Sequence, residues 1–568
     1  MDDRVRSEPI NGAFYRQHGW WRDATVIDDL RRAVQIHPDK TAIVAAQRFS
    51  RQLVRLSYAE LGMYVDRFAC ALLELGAVRG QVVAVQFPNW WHFTALALAC
   101  ARIGVIIAPI PPDYRHREVE FILRRTESCL YIGPAVWSKF SHQEMMRELA
   151  PQLSTLRGRV FLGATGVLDD GEFDFDEWFV ATKWEERHTA VELDGLGALP
   201  DDIYNVLYTS GTTGEPKGVL HSYNTNYAIT RALSHTLLLG ADDVISLPSI
   251  LTASSGFTYL FLMPLLLGQT AVYIDVADPD FHLDLVEAHG VTFIYGLPAY
   301  FLNLIAAQRR RPRNVSSLRR IATGSVPVPP HLIAEVREVF GVRMHTLWGM
   351  TENGAVTITR DDDPPDWPAS SDGRPVPWMQ TKIVSAVAED GTPFPEGAGR
   401  LTVRGASQCL GYFKREDLYA ACVDSEGWFD TGDLARDDGQ GGIRIVGRLK
   451  DVIFRDGLKI PVVEVELALY SHPKVAEVAI VGGAHDRIRG ERVYAVVVPR
   501  DSAPTLSELR EHLRRVGMSS SYWPDRLEIV DEMPKTPSGK IRKFLLKEHL
   551  RQARGVSPEV TAITRSEP

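Results

Sequence analysis

The stretch Tyr208-Thr-Ser-Gly-Thr-Thr-Gly-Glu-Pro-Lys217-Gly218 decides how the rest of the chain is interpreted. Its glycines permit backbone conformations closed to other residues and let N–H groups approach an anion. Its serine and threonines add hydroxyl donors, and Lys217 adds a mobile positive charge. The segment lacks the Gly-Lys-Ser/Thr ending of a Walker A loop. We interpret it as a loop that grips a polyphosphate, with a solvated polar turn as the simpler alternative.

Around this loop, the composition is that of an ordinary globular protein. A chain of 568 residues is too long for a single hydrophobic core, so two or more domains are expected. The net charge of −9 argues against a nucleic-acid or anionic-membrane partner. The longest apolar run, residues 259–267, contains Pro264 and is too short to span a bilayer. Five scattered cysteines and a polar N-terminus predict a cytoplasmic protein.

Short apolar runs alternate with helical periodicity on both sides of the loop, which itself follows a predicted strand end at 205–208. Residues 81–87 predict a buried strand, 91–103 a helix and 105–110 the next strand. Such alternation predicts an α/β fold. We expect a large N-terminal domain, residues 1–447, with layered, mostly parallel sheets and a β-rich portion near its end.

A domain boundary is predicted just after the glycine-rich turn at 438–442. Beyond it, the pattern predicts a helix at 462–470, strands at 475–481 and 493–498, and a helix at 507–515. These elements predict a small α+β C-terminal domain, residues 448–568.

The loop resembles the signature of the ANL superfamily of adenylate-forming enzymes. That superfamily groups acyl-CoA and aryl-CoA synthetases, nonribosomal-peptide adenylation domains and luciferases. Four later segments resemble its further motifs and follow in the same order: Leu347-Trp-Gly-Met-Thr351-Glu352, Trp428-Phe-Asp-Thr-Gly432-Asp433, Gly447-Arg448-Leu-Lys450-Asp451 and Pro537-Ser-Gly-Lys540-Ile. Five motifs in order are a specific signal, and the likeness covers nearly the whole chain.

The resemblance implies ATP and Mg²⁺ as cofactors and gives each motif a role. It implies three catalytic residues: Thr213, Glu352 and Lys540. It implies that the following residues bind the nucleotide: Thr209, Ser210, Gly211, Thr212, Gly214, Lys217, Gly324, Trp348, Gly349, Thr351, Asp433 and Arg448. Glu352 would also hold the metal, since Mg²⁺ favours one or two carboxylates together with phosphate oxygens.

The residue types suit these roles, although each has a simpler alternative. A carboxylate at Asp433 can accept hydrogen bonds from two ribose hydroxyls, and is otherwise a helix cap. Arg448 can contact ribose and phosphate through its planar fork, and is otherwise a surface ion pair. Trp348 offers a flat face near adenine, and its simpler alternative is a place in the hydrophobic core. The simpler alternative for Lys540 is a solvated charge without a role in catalysis.

The implied reaction is an in-line attack of an anionic oxygen on the α-phosphorus of ATP, which expels pyrophosphate. Because two anions repel, catalysis is mostly positioning and charge neutralisation, with Lys540 bridging them. The resemblance also implies that the mobile C-terminal domain then swings about a hinge at Lys450. Residues 460–466 and 469–473 resemble ligases of cyclic or aromatic carboxylic acids. The first hypothesis is therefore such a ligase, with a small acid as substrate and CoA as acceptor.

Two departures from the family pattern concern the acceptor step. Asp456-Gly457 stands where relatives usually carry Gly-Gly beside the pantetheine channel, and Ala253 stands where they often place a histidine or an aromatic residue. Two further hypotheses stay open: transfer of the acyl group to a carrier-protein thiol or an amine, and activation of nitrite for attack by an arylamine. A degenerate scaffold that only binds nucleotide is disfavoured, because the implied ATP residues are all present.

Overall fold

The computed structural model describes residues 12–188, 190–209, 216–384, 397–455, 458–486, 490–536 and 539–552. In these ranges, nine strands form a first sheet, which is parallel in its centre and antiparallel at both edges. From edge to edge its strands are Arg374–Pro375, Gly354–Ile358, Met344–Met350, Arg320–Gly324, Phe293–Gly296, Val244–Ser246, Thr270–Ile274, Thr41–Ala46 and Leu53–Ser57.

A second sheet of eight described strands is also mostly parallel. Its order is Gly411–Tyr412, Lys217–Ser222, Ile203–Thr209, Ile106–Pro109, Val82–Val85, Leu130–Pro134, Gly158–Leu162 and Glu172–Asp174. Further antiparallel pairs are Val136–Trp137 with Phe140–Ser141 and, in a separate β-rich portion, Met379–Val384, Gly399–Gly405, Phe429–Asp437 and Ile443–Arg448 in that order.

The α-helices of the N-terminal part are Gly12–Gln17, Val26–Ile36, Tyr58–Glu74, Trp91–Arg102, His116–Thr126, His142–Leu149, Ala190–Leu196, Tyr223–Thr236, Met263–Leu267, Pro279–His289, Pro298–Arg310, Pro330–Phe340 and Glu416–Ala420. Two π-helical segments, Asp176–Ala181 and Gly256–Leu262, and the 3₁₀ turns Ala150–Gln152, Trp184–Glu186, Trp367–Ala369 and Leu449–Asp451 complete it.

The helix Trp91–Arg102 lies at the centre of the N-terminal part. Nearly every one of its side chains is buried, and many are alanine, so neighbouring elements approach it closely from all sides. The neighbouring helix Tyr58–Glu74 begins with a capping box: the Glu60 N–H donates to the Ser57 hydroxyl at 3.2 Å, and the Ser57 N–H donates to the Glu60 carboxylate at 2.8 Å. The apolar cluster around these helices includes residues of both sheets, so the two sheets pack against a common core.

The C-terminal part is a small α+β unit with its own core. Its strands are Ile453–Arg455, Leu458–Ile460, Val475–Asp486, Gly490–Pro499 and Arg526–Ile529, and its helices are Val462–Tyr470, Leu506–Arg515 and Lys543–Gln552, with a 3₁₀ turn at Ser520–Tyr522. Apolar side chains from the first two of these helices and from the strands form a cluster separate from the N-terminal core.

The predicted fold class is confirmed: a mixed α/β chain with layered, largely parallel sheets, a large N-terminal part and a small C-terminal one. The predicted helix at 462–470 coincides with Val462–Tyr470, whereas the strand predicted at 475–481 continues to Asp486. The division between residues 447 and 448 stays a prediction. A search of the described helices finds none long and apolar enough to cross a membrane.

The sheet topology indicates where a ligand-binding site is expected, namely at one edge of the first sheet. Three neighbouring parallel strands, Phe293–Gly296, Arg320–Gly324 and Met344–Met350, have their carboxyl ends at the same edge of the first sheet. Ligands of open α/β sheets bind outside such carboxyl ends. The segments that follow these strands are therefore the first place to look for functional side chains.

Candidate functional site

The phosphate-loop segment connects two antiparallel strands. Ile203–Thr209 pairs with Lys217–Ser222 so that Thr209 lies opposite Lys217, and the Thr209 hydroxyl donates a long 3.5 Å hydrogen bond to the Lys217 carbonyl. The strand end predicted at 205–208 is confirmed. Lys217 points its ammonium at the Tyr412 ring, 4.7 Å from the centroid. Ser210, Gly211, Thr212, Thr213 and Gly214 lie outside the described residues.

Glu352 follows the carboxyl end of the strand Met344–Met350 and is buried. The Tyr412 hydroxyl donates to Glu352 Oε1 at 2.8 Å, and the Cys409 N–H donates to the Glu352 carbonyl at 2.7 Å. Burial and the nearby charge of Glu352 raise the pKa of Tyr412, so this phenol remains a donor at neutral pH. One Glu352 oxygen is thus anchored, which fixes the orientation of the carboxylate and leaves Oε2 as the oxygen that could hold a metal ion.

The preceding residue, Thr351, is held by a histidine that the sequence analysis missed. His221 Nε2 lies 2.8 Å from the Thr351 carbonyl, and its Nδ1 lies 3.0 Å from the Thr225 hydroxyl. Burial lowers the pKa of His221 to about 4, so the ring is neutral. Since a carbonyl only accepts, Nε2 carries the proton and Nδ1 is the acceptor. A signal was present in the sequence, because Lys217 and His221 share a strand face at even spacing.

Gly324 ends one of the parallel strands at the same edge. A Cβ at this position would come within 2.3 Å of the Leu347 carbonyl oxygen on the neighbouring strand. Any side chain would therefore push the two strands apart, which explains the glycine by packing alone.

Asp433 is buried on the strand Phe429–Asp437, directly opposite Arg448. The Trp348 indole N–H donates to Asp433 Oδ2 at 2.9 Å. Arg448 Nε lies 3.1 Å from Asp433 Oδ1, yet this oxygen receives no well-aligned hydrogen bond from the described residues. Burial raises the pKa of Asp433, against the lowering effects of Arg448, Trp348 and Lys540. The carboxylate thus retains one buried acceptor that suits a ligand hydroxyl.

Lys540, which belongs to the C-terminal part, lies near Asp433, Arg448 and Glu352. Its N–H donates to the Thr536 hydroxyl at 3.1 Å, and its carbonyl accepts from the Thr536 N–H at 2.8 Å. Removal from water and the positive charge of Arg448 lower the pKa of Lys540, while the carboxylates of Asp433 and Glu352 oppose this. The ammonium therefore lies within electrostatic reach of three residues predicted to bind the nucleotide and metal.

The residue before this lysine shows how the two parts meet. Gly539 has a positive φ of 83°, and a Cβ there would lie 2.5 Å from Leu297 Cδ1, at the start of the helix Pro298–Arg310. The lysine turn is therefore packed against the carboxyl edge of the first sheet. The described site residues come from six separate segments: the hairpin with Thr209 and Lys217, Gly324, the segment from Trp348 to Glu352, Asp433, Arg448 and Lys540.

The residues present fit ATP and Mg²⁺. Asp433 Oδ1, which receives no well-aligned hydrogen bond from the described residues, fits a ribose hydroxyl, and Glu352 supplies one anchored carboxylate. Within the described ranges, no three His, Cys, Asp or Glu side chains gather into a ready-made metal site. The Mg²⁺ prediction rests on Glu352 together with phosphate oxygens.

The segment with the departure at Ala253 is tightly held. The Asn89 side chain clamps it at two points: its amide donates to the Ser249 carbonyl at 2.9 Å, and its oxygen accepts from the Leu251 N–H at 2.7 Å. Ala253 itself is half-buried and donates to the Ile250 carbonyl at 3.0 Å. The other departure, Asp456-Gly457, lies outside the described residues.

Family models match both parts of the chain. One, described as AMP-binding enzyme, matches residues 30–413, and another, described as AMP-binding enzyme C-terminal domain, matches residues 464–540. A medium-chain fatty-acid–CoA ligase of Escherichia coli (strain K12) is 30% identical over 544 residues, which cover 95% of this chain and 92% of that protein.

Two further similarities concern aryl acids. A salicyl-AMP ligase / salicyl-S-ArCP synthetase of Mycobacterium tuberculosis is 32% identical over 555 residues, covering 96% of this chain and 94% of that protein. A crystal structure of an anthranilate CoA ligase in complex with anthranoyl-AMP has a TM-score of 0.82 at 23% identity, and covers 94% of this chain and 98% of the other. The latter similarity establishes the fold.

Proposed function

The chain belongs to the AMP-binding enzyme family of the ANL superfamily and is an AMP-forming ligase that uses ATP, and we propose that it converts a small cyclic or aromatic carboxylic acid into its CoA thioester through an acyl-AMP. The observation that carries this proposal is the convergence of Lys540, Asp433, Arg448 and Glu352. Four charged side chains from distant segments share one place, and two of them are buried carboxylates. Such an arrangement is costly to fold unless a charged ligand uses it.

The described geometry supports a specific division of labour toward ATP. Asp433 Oδ1 accepts a ribose hydroxyl, with Trp348 fixing the other carboxylate oxygen. Arg448 lies beside the same carboxylate and can reach ribose or phosphate. The segment from Thr209 to Lys217, including Thr213, holds the leaving phosphates. Mg²⁺, when bound at Glu352, neutralises phosphate charge and favours departure of pyrophosphate.

In the first half-reaction, a carboxylate oxygen of the acid attacks the α-phosphorus. The new oxygen–phosphorus bond forms as the bond to the β-phosphate bridging oxygen breaks, and pyrophosphate leaves with the electron pair. Lys540 remains protonated and offsets the negative charge that builds up between the two anions. In the second half-reaction, the CoA thiolate attacks the acyl carbon and AMP leaves.

The substrate class follows from two kinds of similarity. Residues 460–466 and 469–473 resemble segments of cyclic and aromatic carboxylate ligases. Salicylate and anthranilate appear in the names of an aligned relative and of a structural neighbour, whereas another relative is named for a medium-chain fatty acid. A panel of acids therefore has to include aryl, alicyclic and medium-chain members.

A carrier-protein thiol is the second candidate acceptor. It is favoured by the relative named salicyl-S-ArCP synthetase and by the carboxylate of Asp456, which stands where the pattern has glycine beside the pantetheine channel. In this alternative the first half-reaction is unchanged.

The test measures AMP release under three conditions: the acid panel with CoA, the same panel without CoA, and nitrite with an arylamine. We expect one class of acid to stimulate AMP release, and CoA to increase it further with formation of a thioester. Acid-dependent adenylate without any effect of CoA would favour a carrier protein or an amine. AMP release with nitrite and arylamine alone would overturn the proposed substrate class.

A further inference from the structure

The tryptophan pair Trp20-Trp21 near the start of the described residues has no part in the function proposed above. Trp21 is buried, and its indole N–H donates to the Ala406 carbonyl at 2.8 Å. The two residues are 385 positions apart in the chain. Trp21 also precedes residue 30, where the match to the AMP-binding enzyme model begins, so family membership gives it no role.

The segment that contains Trp21 is fixed to the helix Tyr223–Thr236. The Arg22 N–H donates to Asn224 Oδ1 at 2.9 Å, and the Arg22 guanidinium lies over the Tyr227 ring, 4.2 Å from its centroid. This helix directly follows the strand that closes the phosphate-loop segment. The N-terminal segment is therefore held by an element that lies close to the candidate site.

The chain that follows Ala406 contacts the turn that carries Glu352. The Ser407 hydroxyl donates to the Asn353 carbonyl at 2.9 Å, and the Cys409 N–H donates to the Glu352 carbonyl at 2.7 Å. The same short segment leads to the tyrosine whose hydroxyl donates to the Glu352 carboxylate. Two carbonyls and the carboxylate of this turn therefore depend on where the segment after Ala406 lies.

Ala406 is itself buried, and two tryptophans hold its peptide groups. The Ala406 N–H donates to the Trp378 carbonyl at 3.2 Å, while the Ala406 carbonyl accepts from Trp21. A buried carbonyl that loses its donor is costly, so we expect the backbone to shift toward another partner when the indole N–H is removed. Because Ser407 is the next residue, such a shift displaces the hydroxyl that holds the turn.

We propose that Trp21 is a positioning residue for Glu352: its hydrogen bond fixes Ala406, and the segment after Ala406 fixes the turn that carries the carboxylate. The inference rests on the proposed function, in which Glu352 holds Mg²⁺ beside the phosphates. Coupling through packed and hydrogen-bonded residues changes an affinity by about two- to thirtyfold. The N-terminal segment thereby contributes to the ATP site through the residues that lie between them.

The first experiment measures amide hydrogen exchange in the full-length, ligand-free protein. Trp21→Phe keeps an aromatic ring and removes the N–H donor, so we expect faster exchange of the Asn353 and Cys409 amides. The matched control is Trp20→Phe, because Trp20 belongs to the same segment and its ring lies 5.9 Å from the Tyr15 ring. In the control, both amides should exchange at the wild-type rate. Unchanged exchange in Trp21→Phe would overturn the proposal.

The second experiment titrates ATP by calorimetry at a series of Mg²⁺ concentrations. We expect Trp21→Phe and Ser407→Ala each to raise the Mg²⁺ concentration that gives half of the maximal ATP affinity, by about fivefold. Trp20→Phe should match the wild type. Since the two changes act on one chain of contacts, the double variant should show less than the product of the single effects. A full product, or faster exchange with an unchanged Mg²⁺ dependence, would overturn the positioning role.

The two readouts separate this inference from the proposed function. If Mg²⁺ does not change ATP binding in the wild type, the metal role of Glu352 fails, and the exchange rates alone decide whether Trp21 holds the turn. Neither experiment needs an acid substrate, so both stand even if no acid in the panel supports AMP release.

Discussion

At the scale of single residues, the candidate site contains Lys540, whose charged form is favoured by some neighbours and disfavoured by others. Arg448 and loss of water disfavour the protonated form of Lys540, whereas Asp433 and Glu352 favour it. Among the described residues, no single carboxylate neutralises Lys540, so we expect its charge to act on a bound substrate. Its position could not be predicted from the local sequence, because an isolated lysine in a turn is usually a solvated charge.

We predict that Lys540→Ala lowers adenylate formation by about two to three orders of magnitude, because the charge between the attacking carboxylate and the α-phosphate is lost. ATP binding should be retained, since Asp433 and Arg448 remain. ATP–pyrophosphate exchange measures the first effect and calorimetry the second. The matched control is Lys535→Ala, which removes a lysine of the same segment that pairs with Glu477 at 2.7 Å. Near wild-type exchange in the Lys540 variant would disprove its role.

The lowered pKa of Lys540 also predicts a pH dependence. The ammonium form exists only below this pKa, so the rate of adenylation should fall as pH rises through a value lower than that of an ordinary lysine. Lys540→Arg keeps its charge to a much higher pH, so the alkaline fall should move upward even though the rate is reduced. The measurement is kcat/KM for adenylation against pH. An alkaline fall at the same pH in both proteins would exclude Lys540 as its source.

We expect the ionised Asp433 carboxylate to lower the stability of the fold and to strengthen the binding of ATP. Its pKa is raised in the folded state, so ionisation destabilises the fold: the penalty is absent below the pKa of the unfolded chain and complete above the folded one. We therefore expect Asp433→Asn to leave the Tm of the ligand-free protein at neutral pH unchanged or higher, while ATP binds at least about tenfold more weakly. Asp437→Asn, an exposed position on the same strand, is the control and should bind ATP normally. A clear fall in Tm for Asp433→Asn would contradict this account.

At the scale of elements, the sequence predicted the helices and strands that have a periodic apolar pattern. It did not predict contacts between residues that are far apart in the chain. Helix Val462–Tyr470 follows from its apolar pattern, and the strand before the phosphate loop follows from its apolar run. The anchor of Glu352 could not be found this way, because Tyr412 is 60 residues away and reaches it through a two-residue edge strand. Such a strand is too short to leave a periodic signal.

The edge strand Gly411–Tyr412 leads to a prediction about Glu352. Tyr412→Phe removes the phenol that donates to this buried carboxylate, so we expect a stability loss of about 1–3 kcal/mol and a higher Mg²⁺ requirement for adenylation. Chemical denaturation and Mg²⁺ titration of activity measure the two effects. Tyr419→Phe is the matched control, because it also loses a phenolic hydrogen bond, donated at 2.8 Å to the Cys409 carbonyl, but does not touch Glu352. An equal change in Mg²⁺ dependence in both variants would show that the effect is general.

At the scale of the whole molecule, the C-terminal part lies against the N-terminal part in the arrangement that we propose for the first half-reaction. Gly539 packs against Leu297, and Lys540 lies near Asp433 and Glu352, so the C-terminal part is docked with its lysine at the candidate ATP site. If the acceptor of the second half-reaction approaches from the side of the lysine turn, the C-terminal part has to move away first. Lys450 lies where the chain passes between the two parts.

We predict that Lys450→Pro keeps adenylate formation and loses transfer to the acceptor. Proline fixes φ at one value and restricts the residue before it, so it limits rotation at Leu449–Asp451 without touching Lys540. The two half-reactions are measured separately, as ATP–pyrophosphate exchange and as thioester formation from preformed acyl-AMP. Lys450→Ala is the matched control: it removes the same charge but leaves the backbone free, so it should retain transfer. Equal loss of both half-reactions in the proline variant would mean that Lys450 is not a hinge, whereas loss of transfer in both variants would assign the effect to its charge.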